Sequence, residues 1–237
     1  MYAMINNLTD LIGAKKTIVF LGESGCGKSE IAINFAFKLK AETNRKIHFF
    51  DMDQTKPLFR SRDIANQISS AGIEFHCNTN ESIEDIASVA PGVIEAIGEP
   101  YNYVVMDIGG NEHGARMIGQ FSKHVNNENG QIFFLINPYR PWSRDYPGIT
   151  ETVERITCAS RTPDIRVISN PNFGLQTTAE DVIRGNDKLR ALLNGRLPIS
   201  CVCVHEHLYA ELVGKIDTPL IPIRIYILYP WQEQNPV

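Results

Sequence analysis

No apolar run in the chain approaches the roughly 20 residues that span a bilayer. Its start, MYAMINNLTDLIGAKK, joins no basic segment to an apolar one, so neither a membrane span nor a secretory leader is expected. Cysteine is scarce: five in 237 residues, an odd number at irregular spacing. A disulfide framework is thereby excluded, and reduced thiols in a cytosol fit better. Charge of one sign is not in excess either. A net charge of −4 argues against a general affinity for nucleic acid or membrane. Internal repeats and low-complexity tracts are missing. What remains is a chain 43 % hydrophobic and 21 % charged, ordinary globular composition with ample material for a core. The expectation is one cytoplasmic, soluble domain over 1–237.

Short apolar runs alternate with helical patterns along the whole length. Segments 17–22, 46–51, 102–108, 131–136, 165–169, 198–204 and 220–227 read as strands, and 73–78 as one further candidate. Several are apolar on both faces, as strands inside a parallel sheet must be. Helices are expected at about 29–42, 57–71, 81–97, 113–127, 147–159, 178–194 and 206–213, with Thr177 or Thr178 as a cap. The alternation predicts an α/β fold: a doubly wound, mostly parallel sheet flanked by helices in three layers, with ligands at the carboxyl ends of the strands.

Chemistry concentrates in IVFLGESGCGKSE, residues 18–30. A buried strand stops at Gly22, and a helix starts at Lys28. Glycines at 22, 25 and 27 let successive N–H groups turn inward at a helix N-terminus, an anion nest. The spacing from Gly22 to Gly27, Lys28 and Ser29 is that of a phosphate-binding loop, with Lys28 toward the β- and γ-phosphates and the Ser29 hydroxyl toward Mg²⁺. The nucleotide-holding set is therefore Gly22, Glu23, Ser24, Gly25, Cys26, Gly27, Lys28, Ser29 and Glu30. Two acidic strand ends complete it. FFDMDQTKP ends a strand with Asp51 and Asp53, and YVVMDIGG ends another with Asp107. A carboxylate there is costly unless a cation or water shell engages it. Asp53 and Asp107 are expected at the metal, Asp51 in the loop's organisation. Gly109 and Gly110 would let a backbone amide approach the γ-phosphate and hinge a switch.

The order GESGCGKS, FFDMDQTKP, YNYVVMDIGG and ISNPNFG resembles the MinD/ParA/CobQ-like ATPases, a deviant group of P-loop proteins, over residues 17 to about 227. The resemblance implies ATP with Mg²⁺ and often an ATP-promoted homodimer. It implies Lys28 and Asp53 as the catalytic pair, Ser29, Asp53 and Asp107 at the metal, and Asn170, with Asn172 as rival, at the adenine. One departure stands out. Those ATPases carry a second lysine directly after the first loop glycine, and here that position is Glu23. A carboxylate would repel phosphate, so slow hydrolysis and weak dimerisation are expected unless a cation offsets it. Arg60 and Arg140 are the leading candidates, with Lys56, Arg62 and Arg144 nearby in sequence.

Three function classes follow: a regulatory or maturation ATPase acting on an unidentified protein partner, a nucleotide-binding module with negligible turnover, and a small-molecule kinase or ligase. The first ranks highest and the third lowest, because no long lid insertion is evident. Three weaker signals complete the reading. CVCVHEH sets Cys201, Cys203, His205 and His207 on alternate positions; four ligands along one strand spread over roughly 20 Å, so a metal site is disfavoured. Cys26 is a candidate reactive thiol within the loop. The aromatic tail with Tyr226, Tyr229 and Trp231 either covers the base or closes the core.

Overall fold

The computed structural model describes residues 7–53, 64–77 and 91–227. Eight strands form one sheet: β1 (Thr17–Leu21), β2 (Ile47–Met52), β3 (Glu74–Cys77), β4 (Tyr103–Ile108), β5 (Gly130–Ile136), β6 (Arg166–Ser169), β7 (Ile199–His205) and β8 (Leu220–Ile223). Their spatial order is β3-β2-β4-β1-β5-β6-β7-β8, and every pairing is parallel. The sheet is thus wholly parallel. The helices are α1 (Leu8–Ile12), α2 (Lys28–Glu42), α3 (Ala65–Ser70), α4 (Val93–Gly98), α5 (Glu112–Gly119), α6 (Ser122–Val125), α7 (Tyr146–Ser160), α8 (Ala179–Leu193) and α9 (Glu206–Leu212). None among the described residues is long and apolar enough to cross a membrane.

The two-faced burial of the central strands explains their near-continuous apolar runs. In β1, Ile18 and Phe20 pack into the layer with α2, while Val19 and Leu21 pack into the opposite layer. β5 splits in the same way: Phe133 and Leu135 face α2, whereas Ile132, Phe134 and Ile136 face the other side. Phe20, Phe35 and Phe133 form a triangle with ring centroids 4.9 to 5.9 Å apart, the spacing aromatic pairs prefer. Each ring is fully buried. Losing one should cost about 3–5 kcal/mol.

Local signals set most boundaries. Thr178 caps α8: its side chain accepts from the Asp181 N–H at 3.2 Å, and the Asp181 carboxylate accepts from the Thr178 N–H at 3.0 Å. Asp145 caps α7 by accepting from the Gly148 N–H at 2.9 Å. The expected helix 113–127 is two pieces, broken after Gly119, where a Cβ would lie 3.1 Å from the Ala159 carbonyl oxygen. The strand expected over 220–227 ends at Ile223. Beyond it, the Arg224 N–H donates to Asn34 Oδ1 at 2.8 Å, and the Tyr226 and Ile227 N–H groups donate to the Glu30 carboxylate at 2.6 and 3.1 Å. The chain there is captured by helix side chains instead of a neighbouring strand. α1 was not expected, although Asn7 and Asp10 form a capping box and Glu42 accepts from the Leu8 and Thr9 N–H groups at 2.8 and 3.0 Å. The expected helices 57–71 and 81–97 and the strand 73–78 lie partly outside the described residues; α3, α4 and β3 are what is described of them.

Candidate nucleotide site

The chain leaves β1 between two diverging halves: β4, β2 and β3 lie on one side, β5 to β8 on the other. That is a topological switch point, and the crevice outside it is where open parallel sheets hold ligands. The loop Gly22–Gly27 occupies it. Gly22, Gly25 and Gly27 all have positive φ, at 142°, 76° and 97°, a region in which a side chain is strained. Gly22 also has no room for one, since a Cβ would stand 2.7 Å from the Leu135 carbonyl oxygen. α2 begins at Lys28 with Gly27 as its cap. Among the described residues, no acceptor is found for the N–H groups of Gly25, Gly27, Lys28 and Ser29. These are the free donors of a helix start, aimed at the crevice.

Lys28 is 1 % exposed, and its ammonium folds back over the loop to within 3.3 Å of the Glu23 carbonyl oxygen. Gly110 closes over it from the end of β4: a Cβ there would lie 2.7 Å from the Ser24 nitrogen and 2.8 Å from Lys28 Nζ. Gly109 lies beside Asp53, whose Oδ1 would be 3.2 Å from a Cβ added there. The second glycine is therefore obligatory at this contact. Asn111 then caps α5 by accepting from the Gly114 N–H at 2.9 Å.

Three carboxylates converge on the same crevice. Asp51 on β2 and Asp107 on β4 are register partners, so their side chains share one face, and Asp53 follows two residues beyond Asp51. All three are buried. The Asp51 carboxylate accepts from the Asp53 N–H at 3.0 Å, the organising role expected of it. Burial, then the Asp51 charge, push the Asp107 carboxyl up to about 7, against the Lys28 ammonium and the Ser29 hydroxyl. Among the described residues, neither Asp107 oxygen makes a hydrogen bond of ordinary geometry, although Ser29 stands close enough to favour the anion. Buried, unbonded carboxylate oxygens beside a serine hydroxyl form a hard oxygen donor set, which suits Mg²⁺. The residues present fit that ion.

Glu23 is engaged by a cation, Arg155, that was not among the expected candidates. Arg155 of α7 pairs with its carboxylate, while Glu23 Oε1 accepts from the Ser24 N–H at 2.9 Å. Arg155 also stands 3.8 Å from Glu112, which pairs with Arg116 at 3.1 Å. Arg140 is at the loop, as expected of a rim arginine, yet its Nε donates to the Gly25 carbonyl at 2.8 Å. Arg60, Arg62 and Lys56 lie outside the described residues, and Arg144 is exposed. Sequence reasoning missed Arg155 because it sits inside a helix far from any motif.

Other expectations need correction. The Glu30 carboxylate turns away from the phosphate nest to hold Tyr226 and Ile227, so its own chain occupies it. Asn170 is buried, and its Nδ2 donates to the Cys26 carbonyl at 2.8 Å, bracing the loop from below. Asn172 is absorbed in its own turn: its carbonyl accepts from Asn137 at 2.8 Å and its side chain from the Gly174 N–H. Cys26 is fully buried beneath the loop, a packing residue instead of an accessible thiol. Tyr226 stacks on Phe37 at 4.6 Å and so closes the core, while Tyr229 and Trp231 lie outside the described residues. Cys201 and Cys203 are buried in β7. The Cys201 thiol is raised well above its ordinary value by its hydrogen bond to Cys203 and by burial, the opposite of a thiolate ligand.

No protein-family model matches the sequence, and no curated protein does. Solved structures do resemble the fold. FtsY from Thermotoga maritima matches with a TM-score of 0.53 at 15 % identity, covering 81 % of this chain and 62 % of that one. Chloroplast FtsY from Physcomitrella patens gives 0.54 at 12 %, covering 79 % and 58 %. FlhF complexed with GTP and Mg²⁺ gives 0.50 at 14 %, covering 78 % and 64 %. The chain thus spans somewhat less than two thirds of the length of each. At such identities the shared property is the fold: a parallel α/β/α sheet of the P-loop nucleoside-triphosphatase type.

Proposed function

We propose that the chain binds a nucleoside triphosphate with Mg²⁺ in the crevice above β1 and acts as a nucleotide-dependent switch on a protein partner. The observation that carries this is the meeting of free loop N–H groups, the buried Lys28 ammonium and the buried, unbonded Asp107 carboxylate at one switch point. Nest and lysine supply positive potential for the β- and γ-phosphates. Ser29, Asp53 and Asp107 would hold Mg²⁺, which when bound offsets phosphate charge. Asp53 lies beside Gly109, where it can orient a water toward the γ-phosphate. Gly110 approaches the loop with no side chain between, so a γ-phosphate would alter the start of α5 directly.

ATP is the proposed base form. The segment after β6 reads Asn170-Pro171-Asn172-Phe173 and offers no carboxylate in the position of the Asn-Lys-x-Asp guanine motif. Structural neighbours named for GTP and Mg²⁺ favour the second reading, a GTP protein. Hydrolysis is expected to be slow, because Glu23 and not a lysine follows the first loop glycine, and Arg155 only neutralises it. An ATP-promoted homodimer remains part of the proposal, in a weak form. Titration calorimetry with ATP and with GTP in Mg²⁺, followed by phosphate release from the preferred nucleotide, tests all of this. Tighter ATP binding with turnover below one per minute, about 0.02 per second against a usual enzyme value near 10 per second, is the expected result. Tighter GTP binding would install the second reading.

A further inference from the structure

At the outer edge of the sheet, a second polar cluster occupies β2 and β3. The strands are paired with His48 opposite Glu74 and Phe50 opposite His76, so these four side chains share one face. His48 Nδ1 lies 3.0 Å from His76 Nε2 and 3.3 Å from Glu74 Oε2. The three donor atoms are mutually within 4.8 Å. This is the face of Phe50, turned away from α2; Asp51, the next residue along, faces the other way.

We propose that His48, Glu74 and His76 form a binding site for a first-row divalent ion of the Zn²⁺ class. Two ligands about 2.1 Å from one tetrahedral ion stand roughly 3.4 Å apart, close to both separations here. Protons alone leave the cluster incomplete. His48 Nδ1 stands within reach of both His76 Nε2 and Glu74 Oε2 and can hold at most one proton, and His48 Nε2 is buried without a partner among the described residues. A cation satisfies His76 Nε2 and the Glu74 oxygen together.

The surroundings add to the case. His76 stacks on Phe50 with centroids 4.3 Å apart and planes 11° from parallel, so its ring is held. Its neighbour is an open cleft of about 840 Å³, into which Glu95 and Glu99 also project, leaving room for a further carboxylate or water ligand. Opposing these are Lys46, 3.3 Å from the other Glu74 oxygen, and Arg45, whose guanidinium lies over Tyr103. Two imidazoles and one carboxylate make a nitrogen-rich set that prefers Zn²⁺ to Mg²⁺ or Ca²⁺. The two metal requirements of this chain are thereby separated: hard oxygen ligands at the loop, imidazole at the edge.

The test is calorimetric titration of Zn²⁺ into the untagged, metal-stripped full chain without nucleotide. One Zn²⁺ per chain is expected, weakened at least about tenfold by His48→Asn, His76→Asn or Glu74→Gln and unaltered by Asp107→Asn. Ring-nitrogen NMR signals of His48 and His76 in the unmutated chain should both move on adding Zn²⁺, a readout that needs no variant to fold. Unmoved imidazole signals, no Zn²⁺ binding below about 100 µM, or full binding in a folded His48→Asn/His76→Asn double variant would each overturn the site.

Discussion

The two halves of β2 differ in chemistry although both are buried. Toward its end, Asp51 and Asp53 join Asp107 above the start of α2; toward its start, His48 meets Glu74 and His76 at the sheet edge. The first group lies at the switch point, where loop amides and Lys28 give a strongly positive rim, so carboxylates are tolerated in number. The second lies where β3 is the last strand among the described residues, beside an open cleft, and there two imidazoles join a single carboxylate. One strand can therefore host two kinds of polar site, because alternate residues leave by opposite faces and each site takes its character from what packs there. The comparison teaches that burial alone does not assign a polar residue's role; its cross-strand partners do.

The largest way to sharpen this contrast is Lys28→Ala. It removes the only ammonium over the loop among the described residues, and nucleotide binding should weaken about 100-fold or more, while Zn²⁺ titrates the edge cluster unchanged. Calorimetry with each ligand reads both arms. Loss of both would show that the two sites are not separable.

A mid-sized effect is expected in stability. Burial pushes the Glu30 carboxyl up to about 7 from 4.5, outweighing the two N–H groups it accepts from. The folded state therefore favours its protonated form. Its contribution is fully present below the ordinary carboxylate range and is lost as pH rises through about 7, a swing of about 1–3 kcal/mol. Urea unfolding at pH 5 and pH 8 should show the unmutated chain losing that much more than Glu30→Gln. An equal loss in both would mean that Glu30 stays ionised.

The smallest effect concerns Arg155→Ala. Freed of its partner, Glu23 presents an uncompensated carboxylate to the phosphates, and affinity for the triphosphate should fall about threefold, as a partly exposed pair of under 1 kcal/mol allows. Glu23→Gln in the same background should recover it. Titration calorimetry on the single and double variants reads the difference.

How much could be read in advance follows from the same contrast. The loop was legible because its elements are consecutive: a strand, three glycines, Lys28 and Ser29 report one local geometry. Asp107 was legible from its place at the end of an apolar run before two glycines. A mostly parallel sheet followed from alternation of strands and helices, and the described strands pair in parallel throughout. Arg155 was not legible, because its partner Glu23 lies 132 residues away and a helix arginine carries no local mark. Glu30 was expected among the nucleotide-holding residues, because the backbone N–H groups it accepts from, those of Tyr226 and Ile227, lie far along the chain. The histidine cluster was invisible for a related reason: its members sit on two strands that only the register brings together.

The central claim is a triphosphate site that needs a divalent cation. Titration of ATP and of GTP into the unmutated chain, in Mg²⁺ and again in EDTA, tests it most directly. The account predicts saturable binding of at least one of them in Mg²⁺, at least about tenfold weaker in EDTA because no ion then offsets the phosphate charge beside the buried Asp107 carboxyl. Absence of binding by either nucleotide in Mg²⁺, or equal affinity with and without the ion, would contradict it.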